Sequence, residues 1–276
     1  MGRIESHVHV WTITDPAYPM AQGNDSTFTP ERDATPDALF KAQAEIGGVD
    51  WTVLIQPRYY MYDNSYLAQA ALDYPNKFVV AGRVDPLHRD AAQHLRELMQ
   101  RPGYRGIRLS PNSNPAVRWL DSATQDPLWE AAAETNATMG LLIDWYQLPQ
   151  AEAMAERHPT TTIVIDHVGR PDYNDISTLD NLIAMAEKPN VYVKLSGYQG
   201  RVINDKPHGL AYQCAERMYR AYGRERVMWG TDWPVCLNSV SYQQAFEIAW
   251  SSSFLTEADR AWVFEHTARK AWRIPA

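Results

Sequence analysis

The chain has 276 residues, of which 45% are hydrophobic and 21% charged, with a formal net charge of -7. That composition suits a globular fold with a substantial core, and the acidity excludes a general affinity for nucleic acid or an anionic membrane. Two cysteines, Cys214 and Cys236, cannot form a disulfide framework, and the chain opens without an apolar leader or a run long enough to span a bilayer, so a cytoplasmic protein is expected.

Short apolar, β-branched runs recur at 4–10, 51–56, 78–84, 106–109, 139–143, 162–166, 192–195 and 227–229. Their near-continuous apolarity is what strands buried on both faces require. Stretches of helical spacing alternate with them, at 36–46, 66–72, 91–100, 127–136, 150–157, 179–187 and 210–222. Two more follow the last strand, at 242–249 and 257–272. Asp90 and Thr256 stand where helix caps are expected, and Thr256 opens a Thr-Glu-Ala-Asp capping box. No Gly-rich phosphate turn follows Val10, as an open doubly wound sheet would show, and no linker divides the chain. Eight strand–helix units in this length predict an α/β fold, a single (β/α)8 TIM-type barrel forming one domain over 1–276. The loop 11–35, rich in Pro, Asp and Thr, is expected to be a lid or binding element.

In such a barrel the active site lies at the C-terminal ends of the strands. Taken in order, those ends deliver His7 and His9, Gln56 and Arg58, Arg83 and Asp85, Arg108 and Ser110, Asp144, His167 and Arg170, Lys194 and Ser196, and Asp232. His7 and His9 stand two apart, so on a strand they share a face. An isolated pair of this kind fits two buried, hydrogen-bonded histidines. With His167 and Asp232 it becomes a donor set for one divalent metal ion, zinc foremost. A second ion would need a bridging carboxylate or carbamylated lysine, commonly from strand four, which here reads Arg105-Gly106-Ile107-Arg108, so a binuclear centre is not expected. Lys194 reads as an internal ion pair with Asp232 or Asp166. Asp232 suits a general base towards water, with a helix cap as its structural alternative.

Four arginines, Arg58, Arg108, Arg170 and Arg201, point to an anionic small-molecule substrate through bidentate forks, Arg108 and Arg170 foremost. Ion pairs with Asp85, Asp144 or Asp166 would account for some of them equally well. Tyr198 joins them as a candidate substrate contact, and Asn112, Asn114, Tyr146 and Gln199 are candidates for binding hydroxyls. Cys236 has no activating neighbour in sequence and reads as a packing residue. His88, His94, His158, His208 and His266 fall in helices or surface loops and read as bystanders.

Several stretches together resemble the amidohydrolase superfamily, in particular its lactonase branch. They are Glu5-Ser6-His7-Val8-His9-Val10-Trp11, Arg105-Gly106-Ile107-Arg108, Val164-Ile165-Asp166-His167-Val168-Gly169-Arg170-Pro171, Val193-Lys194-Leu195-Ser196-Gly197 and Gly230-Thr231-Asp232-Trp233-Pro234. The resemblance implies hydrolysis of a lactone in the catabolism of aromatic compounds or sugars, by a water that Asp232 orients. The histidines would bind a metal or polarise the carbonyl directly, without one. Arg170 would hold a substrate carboxylate. Glu5 stands where the family pattern has Asp, which puts a contact behind the ligands in doubt. A metal-dependent decarboxylase of an aromatic or muconate-like acid is the alternative function, and a barrel that only binds is a third.

Overall fold

In the computed structural model, which describes residues 2–24, 29–111, 118–205 and 209–276, eight strands pair in chain order into one parallel sheet. They are β1 (Ile4–Val8), β2 (Trp51–Ile55), β3 (Phe78–Gly82), β4 (Tyr104–Leu109), β5 (Thr138–Leu141), β6 (Ile163–Ile165), β7 (Val191–Leu195) and β8 (Val227–Trp229). A parallel bridge between Val8 and Trp233 brings the two ends of the sheet together. There the His9 N–H donates to Trp233 O at 2.7 Å and the Asp232 N–H donates to His7 O at 3.0 Å. The seam of the barrel therefore runs directly through three of the candidate site residues, His7, His9 and Asp232.

Successive strands are followed by α1 (Pro36–Ala44), α2 (Ser65–Asp73), α3 (Ala91–Met99), α4 (Asp126–Glu134), α5 (Leu148–Arg157) and α6 (Asp180–Ala184). Two helices, α7 (Gln199–Asp205) and α8 (Leu210–Tyr222), follow β7. After β8 come α9 (Tyr242–Trp250) and a run in which α10 (Glu257–Ala261) passes through a π turn, Trp262–His266, into α11 (Thr267–Ala271). The expected elements are present, and α7 is the addition; its Gln-Gly-Arg opening carries no apolar period. The Thr256 box closes both ways, since Thr256 Oγ1 accepts from the Asp259 N–H and the Asp259 carboxylate accepts from the Thr256 N–H. Asp90 stands at the start of α3 but caps nothing; its carboxylate pairs instead with Arg89 at 3.2 Å. No helix among the described residues is long and apolar enough to cross a membrane. Asn112, Asn114 and His208 lie outside the described residues.

The barrel interior is apolar at the bottom and polar at the top. Ile4, Val53, Ile55, Val79, Ala81, Val164, Tyr192 and Met228 meet Ala268, Ala271, Trp272 and Ile274 of the C-terminal run in one buried cluster. A second, larger cluster fills the layer between strands and helices. Ile4 and His7 both turn inward although they stand three apart. The register against β2 shifts between Glu5 and Val8, and that bulge supplies the odd step which aims the histidines into the barrel.

Candidate active site

The site is built from the ends of β1, β4, β6, β7 and β8. His9 holds its Nδ1 at 2.7 Å from the Ile55 carbonyl. A carbonyl only accepts, so Nδ1 carries the hydrogen and Nε2 presents its lone pair upward. His7 turns Nε2 towards His9 Nε2 at 3.2 Å, and its Nδ1 lies 3.0 Å from Lys194 Nζ and 3.3 Å from Asp166 Oδ1. His167 anchors Nδ1 on Ser196 Oγ at 2.9 Å and turns Nε2 towards Asp232 Oδ2 at 3.9 Å. Asp232 Oδ1 stands 3.4 Å from His7 Nε2 and 3.3 Å from His9 Nε2. Three imidazole nitrogens thus face one carboxylate, each ring oriented from behind by a different group.

Close backbone approach makes this convergence feasible. A Cβ on Gly230 would stand 2.9 Å from the Cβ of His7. One on Gly197, whose φ is +71°, would stand 2.7 to 2.8 Å from atoms of His167. His167, Val168, Gly169 and Arg170 all take left-handed angles, with φ of 56°, 56°, 69° and 49°, and Asp232 has φ 63°. Such angles are costly for residues with a Cβ, especially a β-branched one, and they cluster at functional sites.

Beneath the histidines Asp166 joins two buried cations. Its Oδ2 accepts from Arg108 Nε at 2.9 Å and its Oδ1 lies 2.9 Å from Lys194 Nζ. Lys194 therefore pairs with Asp166, one of the two partners expected for it. Burial alone would raise the Asp166 carboxyl, but Lys194, His7 and Arg108 outweigh it and hold the group well below the carboxylate range. Burial lowers His167 to about 4, and burial together with Lys194 keeps His7 far below its ordinary value. At Asp232 burial acts upward, and the imidazoles of His167, His9 and His7 prevail, holding the carboxyl below its usual range. At neutral pH the site then offers neutral His7 and His167 imidazoles and an ionised carboxylate.

The donor set fits a divalent cation. Ligands at about 2.0–2.1 Å around one tetrahedral zinc stand roughly 3.3 Å apart. The separations of 3.2, 3.3 and 3.4 Å among His7 Nε2, His9 Nε2 and Asp232 Oδ1 have that spacing. One ligand atom each from His7, His167 and Asp232 falls within 4.8 Å of the others. Asp232 Oδ1 is buried and has no hydrogen-bond donor, as an acceptor meant for a cation would be.

Above the histidines opens a cavity of about 630 Å³. His9, His167, Asp232 and Arg108 form its floor; Trp11, Tyr59, Trp145, Tyr146 and Tyr173 wall it; Arg58, Arg170 and Arg201 enter from its sides. His7 lies directly beneath. Arg108 and Arg170 are already matched by carboxylates, Arg170 Nε standing 2.8 Å from Asp144 Oδ1. Arg201 faces no carboxylate within ion-pair distance among the described residues. Tyr198 does not reach the cavity. It is wholly buried in the strand–helix core, because the left-handed turn at Gly197 sends the next side chain outward. Gln199 also turns away, its amide donating to Gly230 O at 2.8 Å. Three other strand-end residues are structural too: the Gln56 amide donates to Asp63 O, Arg83 lies over the Tyr62 ring, and Asp85 accepts from the Leu87 N–H.

Tyr146 was already a candidate and Trp11 opens the expected binding loop; Tyr59, Trp145, Tyr173, Asp172 and Asn238 were not anticipated. A signal existed in the aromatic pairs directly after strand ends, Arg58-Tyr59-Tyr60 and Asp144-Trp145-Tyr146. The root of the loop 11–35 is pinned by mutual backbone bonds between Trp11 and Ala34, which hold the Trp11 ring in the cavity wall. Burial pushes the Cys236 thiol up, away from reactivity.

Over residues 4–274 the sequence matches the amidohydrolase family. The chain belongs to that family. This amidohydrolase is 28% identical over 296 residues to an L-fucono-1,5-lactonase of Burkholderia multivorans, the alignment covering 99% of this chain and 96% of that one. It is also 28% identical to a 2-pyrone-4,6-dicarboxylate hydrolase of Comamonas testosteroni, covering 84% and 77%. A crystal structure of a Burkholderia multivorans amidohydrolase with bound zinc superposes on it with a TM-score of 0.86, over 100% of both chains at 24% identity.

Proposed function

We propose that this amidohydrolase opens a lactone ring by hydrolysis, with Asp232 as the base towards water. One observation carries the reading: an ionised carboxylate set among three imidazoles at the floor of a cavity walled by arginines and aromatic rings. Asp232 would take a proton from water as the oxygen attacks the ring carbonyl. The negative charge that develops on the carbonyl oxygen would meet the guanidinium of Arg108 and, in the metal-free form, the Nε2–H of His167, both facing the cavity. The proton held by Asp232 would then pass to the ring oxygen as the C–O bond breaks, which restores the carboxylate. His7, His9, His167 and Asp232 would hold a divalent ion, zinc foremost, whose contribution when bound is Lewis-acid polarisation of the carbonyl. The names of the lactone-opening relatives and the zinc-bound relative support this reading.

For the substrate we infer an anionic lactone, its charge met by Arg201 and Arg58 at the cavity wall. A second reading, a neutral sugar lactone, is favoured by the pairing of Arg170 with Asp144, since a neutralised guanidinium–carboxylate pair suits hydroxyls better than a carboxylate. A panel of carboxylated lactones, sugar lactones and muconate-type acids, followed with a pH indicator, tests both. Acidification on a lactone supports hydrolysis, and the responding class decides between the readings. Alkalinisation on an acid would transfer the site to decarboxylation.

A further inference from the structure

His7 stands between neighbours of opposite kind. Beside its Nδ1 lie Lys194 Nζ at 3.0 Å, which donates, and Asp166 Oδ1 at 3.3 Å, which accepts. Beside its Nε2 lie His9 Nε2 at 3.2 Å and Asp232 Oδ1 at 3.4 Å. His9 has no choice of tautomer, because its Nδ1 must donate to the Ile55 carbonyl at 2.7 Å and its Nε2 can then only accept. A complete donor chain therefore runs in a single sense. Lys194 donates to His7 Nδ1, the His7 Nε2–H donates to His9 Nε2, and the His9 Nδ1–H donates to Ile55 O. In this form the Nε2 of His7 has no lone pair to give a cation. The other tautomer, with the hydrogen on Nδ1 and donated to Asp166, frees Nε2 for a metal. Both forms carry the same number of protons; His9 Nε2 and Asp232 Oδ1 favour the Nε2–H form from the front, and from behind Lys194 favours it while Asp166 opposes it.

We propose that Lys194 is a positioning residue that holds His7 in its Nε2–H tautomer and thereby lowers the affinity of the site for a divalent cation. The site is then poised between a metal-free hydrogen-bond chain and a metal-loaded form, with Asp166 as the acceptor that the loaded form uses. The effect on metal rests on the reading of His7, His9, His167 and Asp232 as one ligand set. Lys194 cannot escape to water. It is fully buried, paired with Asp166 at 2.9 Å, and its Nζ lies 5.2 Å from the centre of the Trp272 ring. Arg108 grips the other oxygen of Asp166, so that carboxylate keeps a cation when Lys194 is replaced.

The test measures two things on wild type, Lys194→Met, Asp166→Asn and His167→Ala. One is the zinc dissociation constant by competition with a chromogenic chelator; the other is the ¹⁵N chemical-shift pattern of the His7 ring in metal-free protein. Wild type should show His7 as the Nε2–H tautomer. Lys194→Met should raise the share of Nδ1–H and tighten zinc about tenfold, and Asp166→Asn should weaken zinc roughly 10–100-fold, the usual range for a residue that orients a ligand. A His7 tautomer and zinc affinity unchanged in Lys194→Met would overturn the proposal. Should Lys194→Met fail to fold, wild-type zinc affinity in Asp166→Asn, or an Nδ1–H tautomer in wild type, overturns it instead. Zinc binding that is absent in wild type, or indifferent to His167→Ala, defeats the ligand-set reading, and the tautomer measurement still decides the role of Lys194.

Discussion

Asp232 and His167 both adopt left-handed backbone angles, φ 63° and 56°, at the ends of their strands. Asp, Asn and His enter this region more readily than other residues with side chains. Asp232→Asn therefore keeps the backbone that the turn needs while removing the base. We expect it to fold with an unchanged circular-dichroism spectrum and to lose about 10²–10⁴ in kcat. Near-wild-type turnover would remove Asp232 from that role. The arginines separate in the same way. Arg201→Met should raise KM for a carboxylated lactone roughly tenfold or more and leave a neutral one little changed, as loss of a charge-assisted bond implies. Arg170→Met removes the ion-pair partner of Asp144 and should disturb both substrates alike. The histidines and Asp232 were legible in the sequence because polar residues closing an apolar run have few other reasons to be there. The division of arginines between substrate and internal carboxylates was not, since Arg108 meets Asp166 across 58 positions of chain. Tyr198 was misplaced for a more local reason, the outward turn at Gly197.

At the scale of elements, the strands must approach closely enough for the imidazoles to meet, and two features enforce this. Gly197 has φ +71° and lies against the His167 ring, so Gly197→Ala combines backbone strain with a clash. It should cost about 1–3 kcal/mol in urea denaturation, and the displaced His167 should lower kcat further than unfolding alone explains. The seam between β1 and β8 holds a buried Glu5 carboxyl. Its Oε1 accepts from the Thr231 N–H at 2.8 Å and the His7 N–H at 3.2 Å, and its Oε2 accepts from the Tyr242 hydroxyl at 3.2 Å. Burial outweighs these donors and pushes Glu5 up to about 8. The unfolded chain loses this proton near pH 4.5 and the folded chain only near 8, so between those limits the folded state binds more protons. Stability should accordingly fall as pH rises through this window, by up to ~1.4 kcal/mol per pH unit. Glu5→Gln should flatten that slope in denaturation series at pH 5.5 and 8; an identical slope in the variant would assign it elsewhere. The His-x-His at the end of β1 was legible as a pattern of two. The bulge that also turns Ile4 inward was not, because it depends on the register against β2.

For the molecule as a whole, strict alternation of apolar strands with amphipathic helices was enough to predict a closed barrel, and closure puts every strand end on one rim. How the opposite end is sealed was not legible. Trp272 and Ile274 follow α11 as ordinary apolar residues, and nothing in their spacing says which cavity they fill. They close the bottom of the barrel, where Thr138 Oγ1 donates to Ala271 O at 2.6 Å and Trp272 is wholly buried beneath Lys194. The seal and the site are thus successive layers of one interior: indole, then Lys194 and Asp166, then the histidines. Trp272→Ala should cost about 3–5 kcal/mol in urea denaturation, the usual range for deleting a buried aromatic ring, and Trp272→Phe should recover most of it. Because the indole also limits where Lys194 can go, the alanine variant should lower kcat under conditions where it remains folded, with KM nearly constant. A loss below about 1 kcal/mol would mean that the polar layer stands without the seal, and that the strands alone fix the positions of Lys194 and Asp166.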